Sequence, residues 1–339
     1  MLPNLVLVYF IAFLGAASIT AITRYITIKR SILDVPNSRS SHQQPTPRGG
    51  GIAIVLVFLI FIFYLNLIHY IDKSLMFALI GGGIVIACAG LYDDIYSLNA
   101  HSRLFVHFLS ALWAIICIGA LSTLDCGIFK IPLSWLGYFI TLIGIIWCIN
   151  FYNFMDGIDG LAGCEGIFIA VASGLALSIK HAVYLETIFF GLAATIAGFT
   201  IWNWPPAKIF LGDVGSGFLG FVFAVLALFT IKQSYLPITF WCVISAIFLF
   251  DATFTLLHRI YHKKKWYSAH REHAYQHLIV FGASHKQVTM GIILINSFIL
   301  LPIALTMLFL PSISFWLFGI IVISSGLLWL WIKSQLVLS

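Results

Sequence analysis

The sequence predicts an all-α integral membrane protein, a polytopic bundle of about 10–11 transmembrane helices, and three observations carry that prediction. Of 339 residues, 61% are hydrophobic and the mean hydropathy is +1.04. Only 9% are charged, against roughly 25% in an ordinary soluble domain. The apolar residues fall in runs close to the ~20 that a helix needs to cross a hydrocarbon core. Lipid leaves unpaired backbone groups without water, so runs of this length are read as helices. No soluble segment interrupts them, and residues 1–339 read as a single transmembrane domain.

Eleven segments qualify: 3–23, 50–68, 75–92, 103–123, 132–150, 161–179, 182–202, 214–231, 235–257, 288–309 and 312–332. The first offers small residues in "GAAS", as a cleaved leader would. It has no Lys or Arg before its apolar run, and Arg24, Lys29 and Arg30 follow it. That order favours an uncleaved span with its N-terminus outside. The second opens on three glycines, and the third closes on "YDD". The fifth closes on "NFYNFMDGIDGLAG", and "GDVGSG" opens the eighth. The ninth carries Asp251 close to its inner end. No internal repeat is visible, which weakens a transporter built on inverted halves.

Alternation sorts the loops. One side receives 24–49, 93–103, 150–160, 203–213, 258–287 and the C-terminal tail, with fourteen of the 18 Lys and Arg residues, Arg39 among them. The other side receives Lys73, Lys130, Lys180 and Lys232. The positive-inside rule makes the first side cytoplasmic. The net charge of +6 is then a matter of topology and anionic lipid, not of nucleic acid. Asp72, Asp125 and Glu186 lie in the outer loops; Glu165 and Asp251 lie within spans near their inner ends, and the remaining acids are in cytoplasmic loops. The six cysteines form no CxxC pair and read as small buried hydrophobes.

Four cytoplasmic stretches and a histidine loop carry chemistry. "LDVPNSRSSHQQPTPRGGGIAI" (33–54) combines Asp34, Asn37, Arg39, His42 and Arg48 with glycines; arginine takes phosphate with paired donors, although a basic juxtamembrane turn has the same composition. "GLYDDIYSLNAHSRL" (90–104) places Asp93 beside Asp94, with Arg103 following. Adjacent carboxylates repel unless a cation offsets them; the plainer reading is a solvated acidic turn. "NFYNFMDGIDGLAG" supplies Asn150, Asn153, Asp156 and Asp159. Continued as a helix, it would put 153, 156 and 160 on one face. Oxygen donors at this density suit Mg²⁺ completed by substrate phosphates. "DGIDG" resembles a calcium loop only faintly, lacking its alternating ligands. "WNWPPAKIFLGDVGSGFLGF" brackets Asp213 with glycines and offers the Phe210 ring to a base. "SAHREHAYQHL" spaces His270, His273 and His277 for one helical face, with Arg271 nearby. Phosphate contact or proton transfer suits these histidines better than zinc, which wants four committed ligands.

In this order the motifs resemble the polyprenyl-phosphate N-acetylhexosamine-1-phosphate transferases, the superfamily of the phospho-N-acetylmuramoyl-pentapeptide transferases and of the enzymes that start O-antigen and teichoic acid assembly. The resemblance covers about residues 30–290. "DVPNSRSSHQQPTPRGGG", "YDD", "NFMDGIDGLAG", "PAKIFLGDVGS" and the histidine loop match in type and order. It implies Asn153 and Asp213 as Mg²⁺ ligands, with Mn²⁺ as the alternative. It implies Asp93 and Asp94 near the lipid phosphate and metal, Asp156 and Asp159 on the nucleotide-sugar side, and Phe210 stacked on uracil. His270 and His273 join Asp93 and Asp94 as catalytic candidates, one of the two histidines would meet the diphosphate, and Arg48, Arg103 and Arg271 are further substrate contacts. "HREHAYQH" departs from the three-histidine pattern of the peptidoglycan branch and looks more like the O-antigen-initiating branch, which handles N-acetylhexosamines and their 6-deoxy relatives. The implied reaction joins a sugar 1-phosphate from a UDP-sugar to undecaprenyl phosphate and releases UMP, at the cytoplasmic face of a bacterial inner membrane. It leaves a homodimer open, and also the choice between direct attack and an aspartyl-phosphate intermediate.

Two rivals fare worse. An intramembrane aspartyl protease is approached by "YD" at 92–93 and "LGD" at 211–213, but Phe210 stands where its GxGD motif needs glycine. An ion-coupled transporter would carry its acids mid-membrane; here they gather at one face.

Overall fold

The computed structural model describes residues 4–36, 45–265 and 270–338, with side chains described to 335. Asn37, Arg39 and His42 of the first basic loop lie outside the described residues. The chain is helical almost throughout. α1 (Leu5–Lys29) is followed by the two-residue strands β1 (Leu33–Asp34) and β2 (Thr46–Pro47), paired antiparallel. α2 (Gly51–Leu67) leads to α3 (Lys73–Phe77), which continues through a π turn at Ala78–Gly82 into α4 (Gly83–Tyr96). α5 (Ala100–Ile118) ends at a small hairpin, β3 (Thr123–Asp125) with β4 (Lys130–Pro132). Then come α6 (Leu136–Phe154), α7 (Leu161–Ile179), α8 (Val183–Asn203) and α9 (Gly212–Lys232). α10 (Ile238–Ile244), α11 (Ala246–Tyr261) and α12 (Ala274–Val280) precede α13 (His285–Ile295), a second π turn (Asn296–Leu300) and α14 (Leu301–Phe309). α15 (Ser314–Leu338) follows one 3₁₀ turn at Pro311–Ile313.

Among the described residues nine helices are long and apolar enough to span, or ten if the bent pair α10–α11 counts as one; α2, at 17 residues, falls just short. All eleven expected segments are therefore helical, and the multi-pass architecture stands. The expected straight span at 235–257 does not: the axis turns by 84° between α10 and α11. Ser245 sits there at φ −101°, ψ 9°, outside the helical well. The expected span 103–123 stops at Gly119, whose φ of +84° leaves the right-handed region and lets the hairpin start.

Position in the bundle follows composition. α9 is apolar on every side, as a helix enclosed by others must be; its core window is 89% buried, against 22% for α1 and 17% for α15. α4, α6 and α2 pack around α9, while α1 and α15 turn Phe10, Ile11, Leu327 and Trp331 outward as lipid-facing surface. At one end Pro47, Asp94, Phe154, Asp159, Ala207 and Asp213 are knit together with α12 and α13. The opposite end holds the hairpin and the Lys232 contact to the Ile118 carbonyl, 2.6 Å.

Candidate active site

The site is built on the first turn of α9. A helix N-terminus leaves amides unpaired and carries partial positive charge. Asp94, on the last turn of α4, meets that need across the bundle: its Oδ1 accepts the Asp213 amide at 2.9 Å and its Oδ2 the Val214 amide at 3.2 Å. Gly212 adopts φ +77°, and a Cβ there would stand 2.5 Å from Asp94 Oδ2. Glycine also lets three helices converge. A side chain on Gly51 of α2 would overlap the Gly215 backbone of α9, and one on Gly90 of α4 would lie 2.5 Å from the Asp213 carbonyl oxygen.

Asp213 then faces Asn153. The Asn153 Nδ2 donates to Asp213 Oδ1 at 2.7 Å and to Ser216 Oγ at 2.8 Å. Asn153 is not in a loop, as expected, because α6 continues to Phe154 and presents it from its last turn. For the same reason Asp156 does not share its helical face: the helix has ended, and Asp156 lies in the turn that follows. Its carboxyl is pushed up to about 8, first by burial and then by the charges of Asp213 and Asp94, with Arg48 opposing.

Two arginines flank the acids. Arg103 Nε stands 3.1 Å from Asp93 Oδ2, while Asp93 Oδ1 accepts the Leu98 amide at 2.6 Å. Arg48 pairs with Asp34 at 2.6 Å. Burial works against its charge, but Asp34, Asp94 and Asp213 together raise its pKa above the ordinary value. Backbone bonds from Phe210 N to the Pro47 carbonyl (2.8 Å) and from Gly50 N to the Phe210 carbonyl (2.9 Å) fix the first basic loop beside Phe210.

Asp159 serves the frame. It accepts the Ala207 amide at 3.0 Å and stands 3.3 Å from His285 Nδ1, and its carbonyl accepts from Thr289 at 3.0 Å. It thus ties the turn after α6 to the loop before α9 and to α13.

The histidines do not share one helical face. His270 precedes α12, His273 is its N-cap, and only His277 lies within it. His273 Nδ1 stands 3.6 Å from Asp251 Oδ1, and the Asp251 carboxylate accepts the Ala274 and Tyr275 amides at 2.8 and 3.2 Å. The His270 and His273 rings stack at 4.9 Å. Burial first, and then neighbouring His273, lowers His270 to about 4, so it is neutral near pH 7. Tyr275 Oη donates to the Phe154 carbonyl at 3.1 Å, which seats α12 on the turn carrying Asp156. Arg271 lies close enough for its charge to reach Tyr275.

The structure therefore brings Asp93, Asp94, Asn153, Asp156 and Asp213 together with Arg48 and Arg103, and sets the histidine loop beside them on Asp251. Sequence reasoning passed over Ser216, His285 and His107, whose Nδ1 lies 3.2 Å from Asn150 Nδ2. His285 had a signal: "SHKQ" is a capping box, with Ser284 and Gln287 bonded reciprocally. His107 had none, lying in an apolar run.

The donor chemistry fits a hard divalent cation. Asp156 accepts no hydrogen bond from a described residue, and like charges crowd it; a cation would relieve both. Among the described residues no group of three His, Cys, Asp or Glu side chains is placed to hold a metal ion; a Mg²⁺ here would take one or two carboxylates and draw its remaining oxygens from substrate phosphates. Asn153 here turns its amide nitrogen toward Asp213; as a ligand it would give the oxygen.

A family model described as "Glycosyl transferase family 4" matches residues 76–231, the segment that holds the acids of the cluster. The chain is 31% identical over 303 residues, 86% of its own length and 82% of the relative's, to the probable undecaprenyl-phosphate N-acetylglucosaminyl 1-phosphate transferase of Bacillus subtilis (strain 168). It is 29% identical over 277 residues, 78% and 74% of the two chains, to the undecaprenyl-phosphate alpha-N-acetylglucosaminyl 1-phosphate transferase of Salmonella typhi. It is also 30% identical over 198 residues, 56% and 61% of the two chains, to the phospho-N-acetylmuramoyl-pentapeptide-transferase of Fervidobacterium nodosum.

Proposed function

The chain belongs to glycosyl transferase family 4, and on that premise we propose that it transfers an N-acetylhexosamine 1-phosphate, with N-acetylglucosamine as the sugar, from a UDP-sugar to undecaprenyl phosphate, releasing UMP. The reaction is set at the cytoplasmic face of the bacterial inner membrane, where it would begin a surface glycan such as O-antigen. One observation carries this reading: Asp213 and Asn153 are in contact, ringed by Asp93, Asp94 and Asp156, at one end of an otherwise apolar bundle. The lipid phosphate arrives at headgroup level there, and the UDP-sugar arrives from water.

An oxygen of the lipid phosphate attacks the phosphorus that bears the sugar, and the bond to UMP breaks. The Asp94 oxygens are both held by α9 amides; Asp93 Oδ1 is held by the Leu98 amide, while Oδ2 has no hydrogen bond from a described residue and lies 3.1 Å from Arg103 Nε. Engagement of both Asp94 oxygens favours direct attack over an aspartyl-phosphate on Asp94. Asp94 orients the first α9 turn; Arg48 and Arg103 would meet phosphate oxygens, and Phe210 the uracil ring. Asp213 and Asn153 would hold Mg²⁺, with Mn²⁺ as the alternative, and the ion would offset the diphosphate charge and stabilise the leaving UMP. The test is UMP release by the purified chain with undecaprenyl phosphate and a panel of UDP-N-acetylhexosamines, 6-deoxy sugars included. UDP-N-acetylglucosamine should be the best donor. Preference for a 6-deoxy donor would correct the sugar; silence with every donor would sink the reading.

A further inference from the structure

Away from the acid cluster, α11 and α15 enclose an apolar groove of about 360 Å³ lined by Phe254, Leu257, His258, Tyr261, Gly326 and Trp329. Its lining turns Leu257, Tyr261 and Leu330 to the surface, and Trp331, next to Leu330 in the chain, is exposed as well. Exposed Tyr and Trp mark the headgroup level of a membrane, so the groove opens where an acyl chain leaves its phosphate. The end nearest the site is basic. Glu272 is met by Arg259, by Lys264 at 2.9 Å and by Lys333 at 3.9 Å, one carboxylate among three cations. Lys333 also lies over the Trp329 ring, 4.9 Å from its centroid. The His258 ring is tilted against His262, centroids 4.3 Å apart, and meets Trp329 edge to face at 5.5 Å, and its Nδ1 is buried without a hydrogen-bond partner among the described residues.

The groove is also wired to the histidine loop. Trp329 Nε1 donates to Thr255 Oγ1 at 3.1 Å, and Thr255 Oγ1 donates to Asp251 Oδ1 at 3.1 Å. Asp251 in turn holds the first amides of α12 and stands beside His273. Trp329, Thr255, Asp251 and His273 are all buried.

We propose that the α11–α15 groove binds an anionic phospholipid of the surrounding membrane, its acyl chain against Gly326 and Trp329 and its phosphate among His258, Lys264 and Lys333, and that this lipid steadies α12 through Trp329, Thr255 and Asp251. The charge excess selects an anionic headgroup, since each Lys near a surface phosphate contributes on the order of 1 kcal/mol. The ligand is a resident lipid, and its binding does not depend on the transfer reaction proposed above.

The test is native mass spectrometry of the full chain titrated with phosphatidylglycerol or phosphatidylcholine, read beside hydrogen exchange at Ala274–Val280. One phosphatidylglycerol should bind about fivefold tighter than phosphatidylcholine and slow exchange in α12. Lys333→Gln should remove that preference. Gly326→Leu should fill the groove and abolish both binding and the slowing. Gly326→Ala should keep them, because a Cβ there meets only the Phe254 ring, at 3.6 Å. Equal retention of the two lipids, or binding untouched by Lys333→Gln and Gly326→Leu, overturns the proposal. So does undecaprenyl phosphate displacing phosphatidylglycerol one for one, which would give the groove to the carrier lipid. Those results leave the UMP assay unaffected, so the two readings fail separately.

Discussion

Asp156 shows most plainly what the site demands of a single side chain. Its carboxyl, pushed up to about 8 from the ordinary 3.8, keeps a proton in the folded chain that the unfolded chain surrenders. Between those values the native state holds a proton at Asp156 that the unfolded chain lacks, so this carboxyl's contribution to stability is greatest at the acid end and is lost as pH rises, levelling off above about 8. The Tm of metal-free wild type relative to Asp156→Asn should therefore fall as pH rises from 5 to 8; a difference that does not move with pH would remove Asp156 from the cluster. At this scale the sequence was informative about identity and silent about pairing. Asp213, Asn153, Asp93 and Asp94 stand out as acids and amides in an oily chain. That Asp94 spends both oxygens on α9 amides follows from a helix crossing that no local pattern records.

Among the elements, the crossing of α2, α4 and α9 decides whether the site forms. Gly51→Ala would force its new methyl into the Gly215 backbone, whereas a Cβ on Gly144 meets nothing within 4 Å. Gly51→Ala should lower Tm by several degrees, consistent with the about 1–3 kcal/mol typical of overpacking, and should cut turnover. Gly144→Ala should do neither. α12 is the second such element. Because His273 caps it and stands beside Asp251 rather than Asp213, His273→Ala should reduce kcat/KM about tenfold, the size of one lost hydrogen bond, while leaving the Mg²⁺ dependence unchanged. A shift in Mg²⁺ dependence would place His273 in the metal's own shell. The apolar runs made every long helix legible. The end of α6 was not, since Asn150 and Asn153 are poor helix formers and tertiary packing carries the helix past them. The bend at Ser245 was likewise hidden inside a continuous hydrophobic run.

On the scale of the whole molecule, all the chemistry lies at one end. The sequence made that legible through charge alone: Lys73, Lys130, Lys180 and Lys232 fall in the loops away from the acid cluster, and Arg48, Arg103, Lys208, Arg271 and Lys333 fall at its end. Cysteines placed at Ser102 and Lys286, in a background without the six native thiols, should label with an impermeant reagent from the cytoplasm. Those at Ser74 and His181 should label only from outside. Labelling of Ser102 and Lys286 from opposite faces would break the common active end. Asp213 is the point where the bundle would meet the proposed reaction. The most direct measurement is a Mg²⁺ titration of UMP release from UDP-N-acetylglucosamine and undecaprenyl phosphate, for wild type and Asp213→Asn in parallel. Mg²⁺-dependent release is expected of the wild type, and a loss of about 10²-fold or more in the variant with its residual activity displaced to higher Mg²⁺. Wild-type turnover by Asp213→Asn with an unmoved titration would contradict that role for Asp213.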